Sequence, residues 1–204
     1  MTHRQQIARL KVTLDHVTPK VERRIEVPLK IRLDALHLVV QAAMGWHNAH
    51  LYMISVRDTI WGEPDPEFDD GSTLPASRAT LADVIADTGA MSFKYTYDFG
   101  DDCVHTVKIE AVAAATPDTV YPRLLAARGA CPPEDCGGPW GYAEMRQALA
   151  DPVHERHREF KDWLGADFDE ADAGFDLRQK AVACLAATLV RAPRRTASRS
   201  TRGA

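Results

Sequence analysis

The feature that most constrains the fold is the segment MSFKYTYDF at 91–99, in which apolar and polar residues alternate strictly. A period of two is the pattern of a strand with one buried and one exposed face. The letters GDD follow, and CVHTVKIEAVA then continues as a second run of strand-forming residues. Two such runs around a short Gly/Asp turn predict a β-hairpin, so the chain must build a sheet.

Three segments before position 60 extend this sheet and add a helix. Residues 10–14 and 21–27 alternate around the turn DHVTPK and predict two strands. Residues 34–44 carry an apolar stripe at helical spacing, with Asp34 as the expected N-cap and Gly45 as the stop. The segment HLYMISV is apolar on both faces, which favours a central strand.

The order of these elements predicts the fold class. A loop rich in Pro, Asp and Gly at 61–79 and a short helix, TLADVIAD, separate HLYMISV from the hairpin. The resulting order is strand, strand, helix, strand, strand, strand. It predicts an α+β fold with a β-grasp-like mixed sheet.

The second half of the chain predicts helices. Beyond about Pro117 the strand alternation stops, and three helices are expected to cover the sheet, at 142–150, from Asp151 to Trp163, and at about 176–190. Pro152 stands directly after Asp151, which suits an N-cap followed by the first helical position.

These elements predict one domain with a short extension. The single α+β domain is expected over 1–190, with its sheet part at about 7–115 and its helical part at about 118–190. The Arg-rich residues 191–204 contain no acidic side chain and are expected to form a disordered tail.

Composition and charge are those of a soluble globular protein. Hydrophobic residues make up 45% of the chain and charged residues 26%. The opening MTHRQQIARLKV has no apolar run behind its charges, and no stretch is long enough to span a membrane, so a cytoplasmic location is expected. Without the tail the chain has 20 basic and 29 acidic side chains. This acidic body disfavours nucleic acid as a partner, except weakly through the tail.

Three motifs, MGWHNAHLYMI, YTYDFGDDCVHTVKIE and ACPPEDCGGPWGY, occur in this order along the chain. Together they resemble the plasmid pRiA4b ORF-3-like family over about residues 9–190. The resemblance implies an α+β fold and a bacterial or archaeal protein often found beside mobile elements, and it implies no agreed activity. Where the family usually has an aromatic residue after the DFGD turn, this chain has Cys103.

The hairpin turn carries the candidate catalytic residues. Asp98, Asp101 and His105 bracket the turn, so their side chains are expected to converge at one end of the sheet. A histidine beside aspartates can act as an oriented base or hold a hard metal ion. Glu134 adds a carboxylate if its loop folds over this end. The alternative is that the aspartates serve the turn and that His105 is a hydrogen-bonded structural histidine.

Candidate ligand-binding residues flank this end of the sheet. His50 begins the central strand, and Asp135 lies in the Pro- and Gly-rich loop next to Glu134. Gly137 and Gly138 let the backbone pass close to another group, which is either a ligand or the neighbouring sheet. Tyr142 is expected to anchor the following helix.

The cysteines raise the question of a metal centre. Cys131 and Cys136 are separated by four residues, and Cys103 and His105 share one face of a strand, so the four could form a zinc site. The spacing lacks the tighter C-x-x-C pairs of zinc ribbons, and the alternative is a rigid loop with buried thiols. A divalent metal is the one cofactor considered, and the favoured expectation is that the protein has none.

These observations leave three function classes open. The leading hypothesis is a binding or interaction module for a protein or small-molecule partner, associated with mobile elements. The first alternative is a metal-dependent or acid–base hydrolytic enzyme that uses the Asp/His cluster. The second is an accessory nucleic-acid-binding protein that acts through the tail.

Overall fold

The computed structural model describes residues 5–64, 71–165, 168–169 and 171–191. The strands in these residues are β1 (Gln6–Leu14), β2 (Glu22–Pro28), β3 (Tyr52–Val56), β4 (Thr59–Gly62), β5 (Thr73–Pro75), β6 (Ser92–Tyr97), β7 (Cys103–Ala114) and β8 (Arg123–Arg128). The α-helices are α1 (Leu33–Met44), α2 (Leu81–Thr88), α3 (Gly138–Ala150), α4 (His157–Leu164) and α5 (Phe175–Arg191). A single turn of 3₁₀ helix spans Ala76–Arg78.

The strands form one eight-stranded sheet in the order β5-β4-β3-β6-β7-β1-β2-β8. The β4–β5 pair is parallel and the other neighbours are antiparallel, so the sheet is mixed and the predicted α+β class is confirmed. In the β6–β7 hairpin, Tyr97 lies opposite Cys103. The alternation in β6 buries Phe93 and Tyr95 while Lys94 stays exposed, as a strand with one buried face requires.

Helix α1 covers one face of the sheet and builds most of the core against it. Leu33 and Val39 have no exposed surface, and each such side chain contributes about 1.5–3 kcal/mol by burial. Gly45 ends the helix in the left-handed conformation, with φ 97°, and donates its N–H to Gln41 O at 2.7 Å. Helix α5 packs against α1 and β8, so the C-terminal region does cover part of the sheet.

The start of α1 differs from the prediction. Arg32 is the N-cap, and Asp34 lies in the first turn. There the Asp34 carboxylate accepts a hydrogen bond from the backbone N–H of Ala35 and pairs with the Arg32 guanidinium. A carboxylate in the first turn stabilises the positive end of the helix dipole without being the cap.

Strands β4, β5 and β8 were not predicted. Each is short, and β5 falls within the region predicted as the 61–79 loop. Strand β8, with the sequence RLLAAR, lies within the region predicted to be purely helical and pairs with β2 at the edge of the sheet. The sequence RLLAAR shows no alternation of polar and apolar residues, and its pairing with β2 supplies the hydrogen bonds that define the strand.

Helix α4 begins at His157, later than the predicted start after Asp151. Asp151 is instead the C-cap of α3, and its carboxylate accepts a hydrogen bond from Val153 N at 3.0 Å. In the described part of the chain, no helix is long and apolar enough to cross a bilayer. Of the predicted tail at 191–204, only position 191 lies among the described residues.

Candidate functional site

The segment between α1 and β3 holds His50 at one end of the sheet. Trp46, just after the helix stop, donates its indole N–H to Pro132 O at 2.9 Å. The Tyr97 hydroxyl, at the end of β6, accepts hydrogen bonds from Ala49 N at 2.9 Å and His50 N at 3.3 Å. Because Trp46 and Tyr97 are both buried, the segment is anchored on the core and His50 has a fixed position beside the hairpin turn.

Glu134 connects the Pro- and Gly-rich loop to the same segment. Its Oε1 accepts the Tyr97 hydroxyl hydrogen at 2.5 Å, and both of its oxygens lie 3.1 Å from the donating backbone N–H of His47. Burial, and then this carboxylate, raise the pKa of Tyr97, so the phenol stays protonated and donates. Both Glu134 oxygens are therefore engaged in positioning the loop.

The hairpin turn packs tightly against that loop. Asp98 has φ 56°, and its Oδ1 accepts hydrogen bonds from Gly100 N at 3.0 Å and Asp101 N at 3.2 Å, leaving Oδ2 to face outward from the turn. Asp101 Oδ2 in turn accepts the backbone N–H of Gly137 at 3.0 Å. A Cβ at Gly138 would lie 1.9 Å from Asp101 O, so the group that the glycines approach closely is the hairpin backbone.

These contacts bring together one imidazole and two carboxylates. His50 Nε2 lies 3.5 Å from Asp98 Oδ2 and 3.1 Å from Asp135 Oδ1, and one ligand atom of each residue lies within 4.8 Å of the others. The side chains are 29%, 13% and 74% exposed for His50, Asp98 and Asp135. His50 Nε2 is sealed from solvent, yet it makes no hydrogen bond of acceptable geometry with either carboxylate.

This donor set has the composition and spacing of a divalent metal centre. Two ligands bound at about 2.1 Å to one ion at tetrahedral or octahedral angles are roughly 3.0–3.4 Å apart. The separations of 3.1 Å and 3.5 Å between His50 Nε2 and the two carboxylate oxygens fall within or close to this range. Mixed imidazole and carboxylate ligands suit Zn²⁺ or Mn²⁺, and three protein ligands leave positions open for water or a ligand.

His105 and Tyr142 do not reach this cluster. The His105 side chain has no exposed surface, and burial lowers its pKa to about 4. Its Nδ1 lies 3.2 Å from Tyr95 O, within the core. Tyr142 is also buried and donates its hydroxyl to Ala130 O at 3.1 Å, which anchors the loop rather than facing a ligand.

The predicted cysteine centre is not assembled as a ligand set. Cys103, Cys131 and Cys136 are free thiols, and burial raises the pKa of Cys131 and of Cys136 to about 12. Among the described residues, the one group of three or more metal-ligating side chains within ligand distance is the cluster around His50. The thiols therefore stay protonated and packed around the loop.

A cleft of 410 Å³ opens beside the cluster and shares His50 with it. Its wall includes Arg32 and Asp34 from the start of α1, Tyr52 from β3, and Glu63. Sequence analysis missed these four residues because they belong to no common motif and meet only through the tertiary fold. The one sequence signal for this cleft was the motif MGWHNAHLYMI, which contains both His50 and Tyr52.

A buried polar network supports the wall between the cleft and the core. His37 Nδ1 lies 2.8 Å from the Tyr95 hydroxyl, and His37 Nε2 lies 2.5 Å from Asn48 Oδ1. Gln41 donates to the same Tyr95 hydroxyl at 2.9 Å and accepts the backbone N–H of Asn48 at 3.0 Å. Burial lowers the pKa of His37 to about 4, so the network is neutral near pH 7.

The fold and the three motifs can now be compared with known proteins. A family model described as plasmid pRiA4b ORF-3-like protein matches residues 6–178. This chain belongs to the pRiA4b ORF-3-like family. All members of the His50 cluster and the residues that line the cleft lie within the matched span of the family.

Two relatives of this pRiA4b ORF-3-like chain extend the comparison. The uncharacterized protein y4hQ of Sinorhizobium fredii (strain NBRC 101917 / NGR234) is 55% identical over 190 residues, which cover 93% of this chain and 97% of that protein. The crystal structure of MM3350, a protein of unknown function from Methanosarcina mazei Go1, superposes with a TM-score of 0.76 at 31% identity. That superposition covers 82% of this chain and 94% of the neighbour, so the fold is shared over most of both chains.

Proposed function

We propose that the protein is a binding module that holds a divalent metal ion at the end of its sheet and receives a small ligand in the adjoining cleft. The observation that carries this proposal is the convergence of His50, Asp98 and Asp135 within ligand distance, with His50 also lining the cleft. Because His50 belongs to both, an ion held by the cluster would lie next to the cleft.

The charges of the cluster support a cation there. Two carboxylates brought close together repel one another, and a positive charge between them relieves this repulsion. Within the described residues, His50 is the ion-pair partner recorded for Asp98 and Asp135, and neither carboxylate pairs with Lys or Arg. A divalent ion supplies the missing charge and also a partner for the sealed His50 Nε2.

A metal-dependent hydrolase is the second candidate. Three protein ligands with an open coordination position beside a cleft are the arrangement that lets a metal ion activate water. Of the predicted catalytic residues, Asp98 would be a ligand, whereas Asp101 and Glu134 hold the turn and the loop in position. Evidence for hydrolysis would have to come from turnover that depends on the ion.

Broader expectations belong to the same proposal. We propose that one part of the sheet forms a β-grasp-like unit within a single domain. This part consists of β1, β2, β3, β6 and β7, with α1 across one face. A cytoplasmic location is expected from the sequence, and an association with mobile elements is implied by the family resemblance. A protein partner could dock over the cleft, and these expectations do not depend on the identity of the metal.

The proposal is tested by calorimetric titration of chelator-treated protein with Mn²⁺ and with Zn²⁺. We expect one site per chain in the wild type and a loss of affinity of at least about tenfold in His50→Gln and Asp98→Asn. The amide oxygen introduced by Asp98→Asn can still accept the two turn hydrogen bonds, so this variant keeps the hairpin. Asp87→Asn, at an exposed aspartate of α2, is the matched control and should bind as the wild type does. The proposal is wrong if neither ion binds, or if both variants bind as tightly as the control.

A further inference from the structure

Tyr52 presents an unsatisfied hydroxyl to the cleft. The residue is only 7% exposed, and its ring stacks on His37 with 3.6 Å between ring centroids and 4° between the planes. No residue in the described part of the chain forms a hydrogen bond with the hydroxyl, although Tyr52 lines the cleft. Because the hydroxyl opens onto the cleft and no group of the described residues occupies it, it is available to a group that enters from outside.

The surroundings of this hydroxyl are negative. Burial is the main cause that raises the pKa of Tyr52, and the nearby Asp34 and Glu63 carboxylates raise it further. Arg32 neutralises Asp34 through two hydrogen bonds of 2.9 Å. Glu63 has no ion-pair partner among the described residues, so this end of the cleft carries an uncompensated negative charge.

We propose that the cleft binds a small organic cation with a protonated primary amine, held by the Glu63 carboxylate and the Tyr52 hydroxyl. An ammonium group has three donors and no acceptor, which matches the unpaired Glu63 carboxylate and the phenol oxygen in the wall of the same cleft. A metal ion fits this end less well, because within the described residues Asp34 and Glu63 belong to no compact ligand set. An anion is disfavoured by the net negative charge of the wall.

This inference goes beyond the proposed metal site, since the amine end of the cleft does not use the ion. His50 also lines the cleft, so a ligand with both an amine and a carboxylate could contact both sites. A volume of 410 Å³ accommodates a molecule of this size class.

The experiment is a nuclear magnetic resonance titration of the chelator-treated protein with three probes of nearly equal shape: butylamine, butanol and butyrate. We expect butylamine to shift the backbone amides of the lining residues Asn48, Ala49 and Leu51 in a saturable way, and butanol and butyrate to leave them in place. Glu63→Gln should weaken butylamine binding about tenfold or more, because it removes a charge-assisted hydrogen bond. Tyr52→Phe should weaken it about fivefold, because it removes an uncharged oxygen that accepts a hydrogen bond from the ammonium group.

Matched controls keep this test decisive. Tyr52→Phe removes a hydroxyl that has no partner among the described residues, so it should fold with an unchanged Tm, and Asp87→Asn should bind butylamine as the wild type does. An equal response to butylamine and butanol, or equal affinity in wild type and Glu63→Gln, would overturn the proposal. Because the titration is done with divalent ions removed, its outcome is independent of whether the His50 cluster binds metal.

Discussion

The backbone N–H of Gly137 donates to Asp101 Oδ2 at 3.0 Å, and this bond joins the two segments that carry the carboxylates of the candidate metal site. Asp98 lies three positions before Asp101 in the hairpin turn, and Asp135 lies two positions before Gly137 in the loop. The geometry of the cluster therefore depends on a residue that is not itself a ligand.

Removal of the Asp101 side chain should weaken metal binding without removing a ligand. In Asp101→Ala the loop loses its bond to the turn, and we expect Mn²⁺ affinity to fall about tenfold, within the range found for residues that orient ligands. Asp101→Asn retains an acceptor oxygen and should restore most of the affinity. Calorimetry on the two variants checks this, and equal affinities for Asp101→Ala and wild type would contradict it.

The two adjacent glycines of the loop should differ in their tolerance of a methyl group. Gly138 has φ 63°, and a Cβ there would lie 1.9 Å from Asp101 O, whereas a Cβ at Gly137 would meet nothing closer than 3.4 Å. Gly138→Ala should cost more than about 2 kcal/mol of unfolding free energy, and Gly137→Ala only about 1 kcal/mol for its left-handed backbone. Urea unfolding of the pair measures the difference, and equal losses would mean that the close approach is absent.

The Tyr97 hydroxyl should stabilise the folded protein, whereas the Tyr52 hydroxyl should contribute little to its stability. The Tyr97 hydroxyl accepts two backbone N–H groups and donates to Glu134, so Tyr97→Phe leaves these groups without a partner. We expect a loss of about 1–3 kcal/mol, together with weaker metal binding because His50 loses its anchor. Tyr52→Phe should change stability by less than about 0.5 kcal/mol. Comparable losses in both variants would contradict the assigned network.

The parts of this structure that sequence predicted are those fixed by local patterns. Strict alternation identified β6 and its hairpin. His50 and Asp98 lie at adjoining ends of the neighbouring strands β3 and β6. The alternation along β7 predicted that the His105 side chain points to one face of the sheet. That face is covered by the core, so the side chain is fully buried and is not accessible for chemistry. The cleft was not predicted, because its walls come from separate segments that only the tertiary fold brings together.

Buried neutral histidines should make the protein lose stability in mild acid. The pKa values of His37 and His105 are lowered to about 4 from the usual 6.5, with burial as the main cause. The unfolded chain therefore binds more protons than the folded one between these values, and stability falls as the pH decreases from 6.5 toward 4. The loss approaches about 3 kcal/mol per histidine at the lower end.

Urea unfolding at a series of pH values measures this dependence. The steepest decline is expected above about pH 4.5, before most carboxylates begin to protonate. Replacing His105 by Gln should reduce the slope in this interval, although the variant itself will be less stable. A flat profile between about pH 6.5 and 4.5 would show that the two rings are not held neutral in the folded protein.

The central claim is that His50 is a metal ligand, and nitrogen-detected magnetic resonance of the imidazole groups during addition of Zn²⁺ tests it most directly. The claim predicts that Zn²⁺ shifts the His50 Nε2 resonance up to one equivalent and that the His37 and His105 resonances stay in place. In Asp98→Asn the same shift should require a clear excess of Zn²⁺. A His50 resonance that does not respond to Zn²⁺, or that responds equally in Asp98→Asn, would contradict the claim.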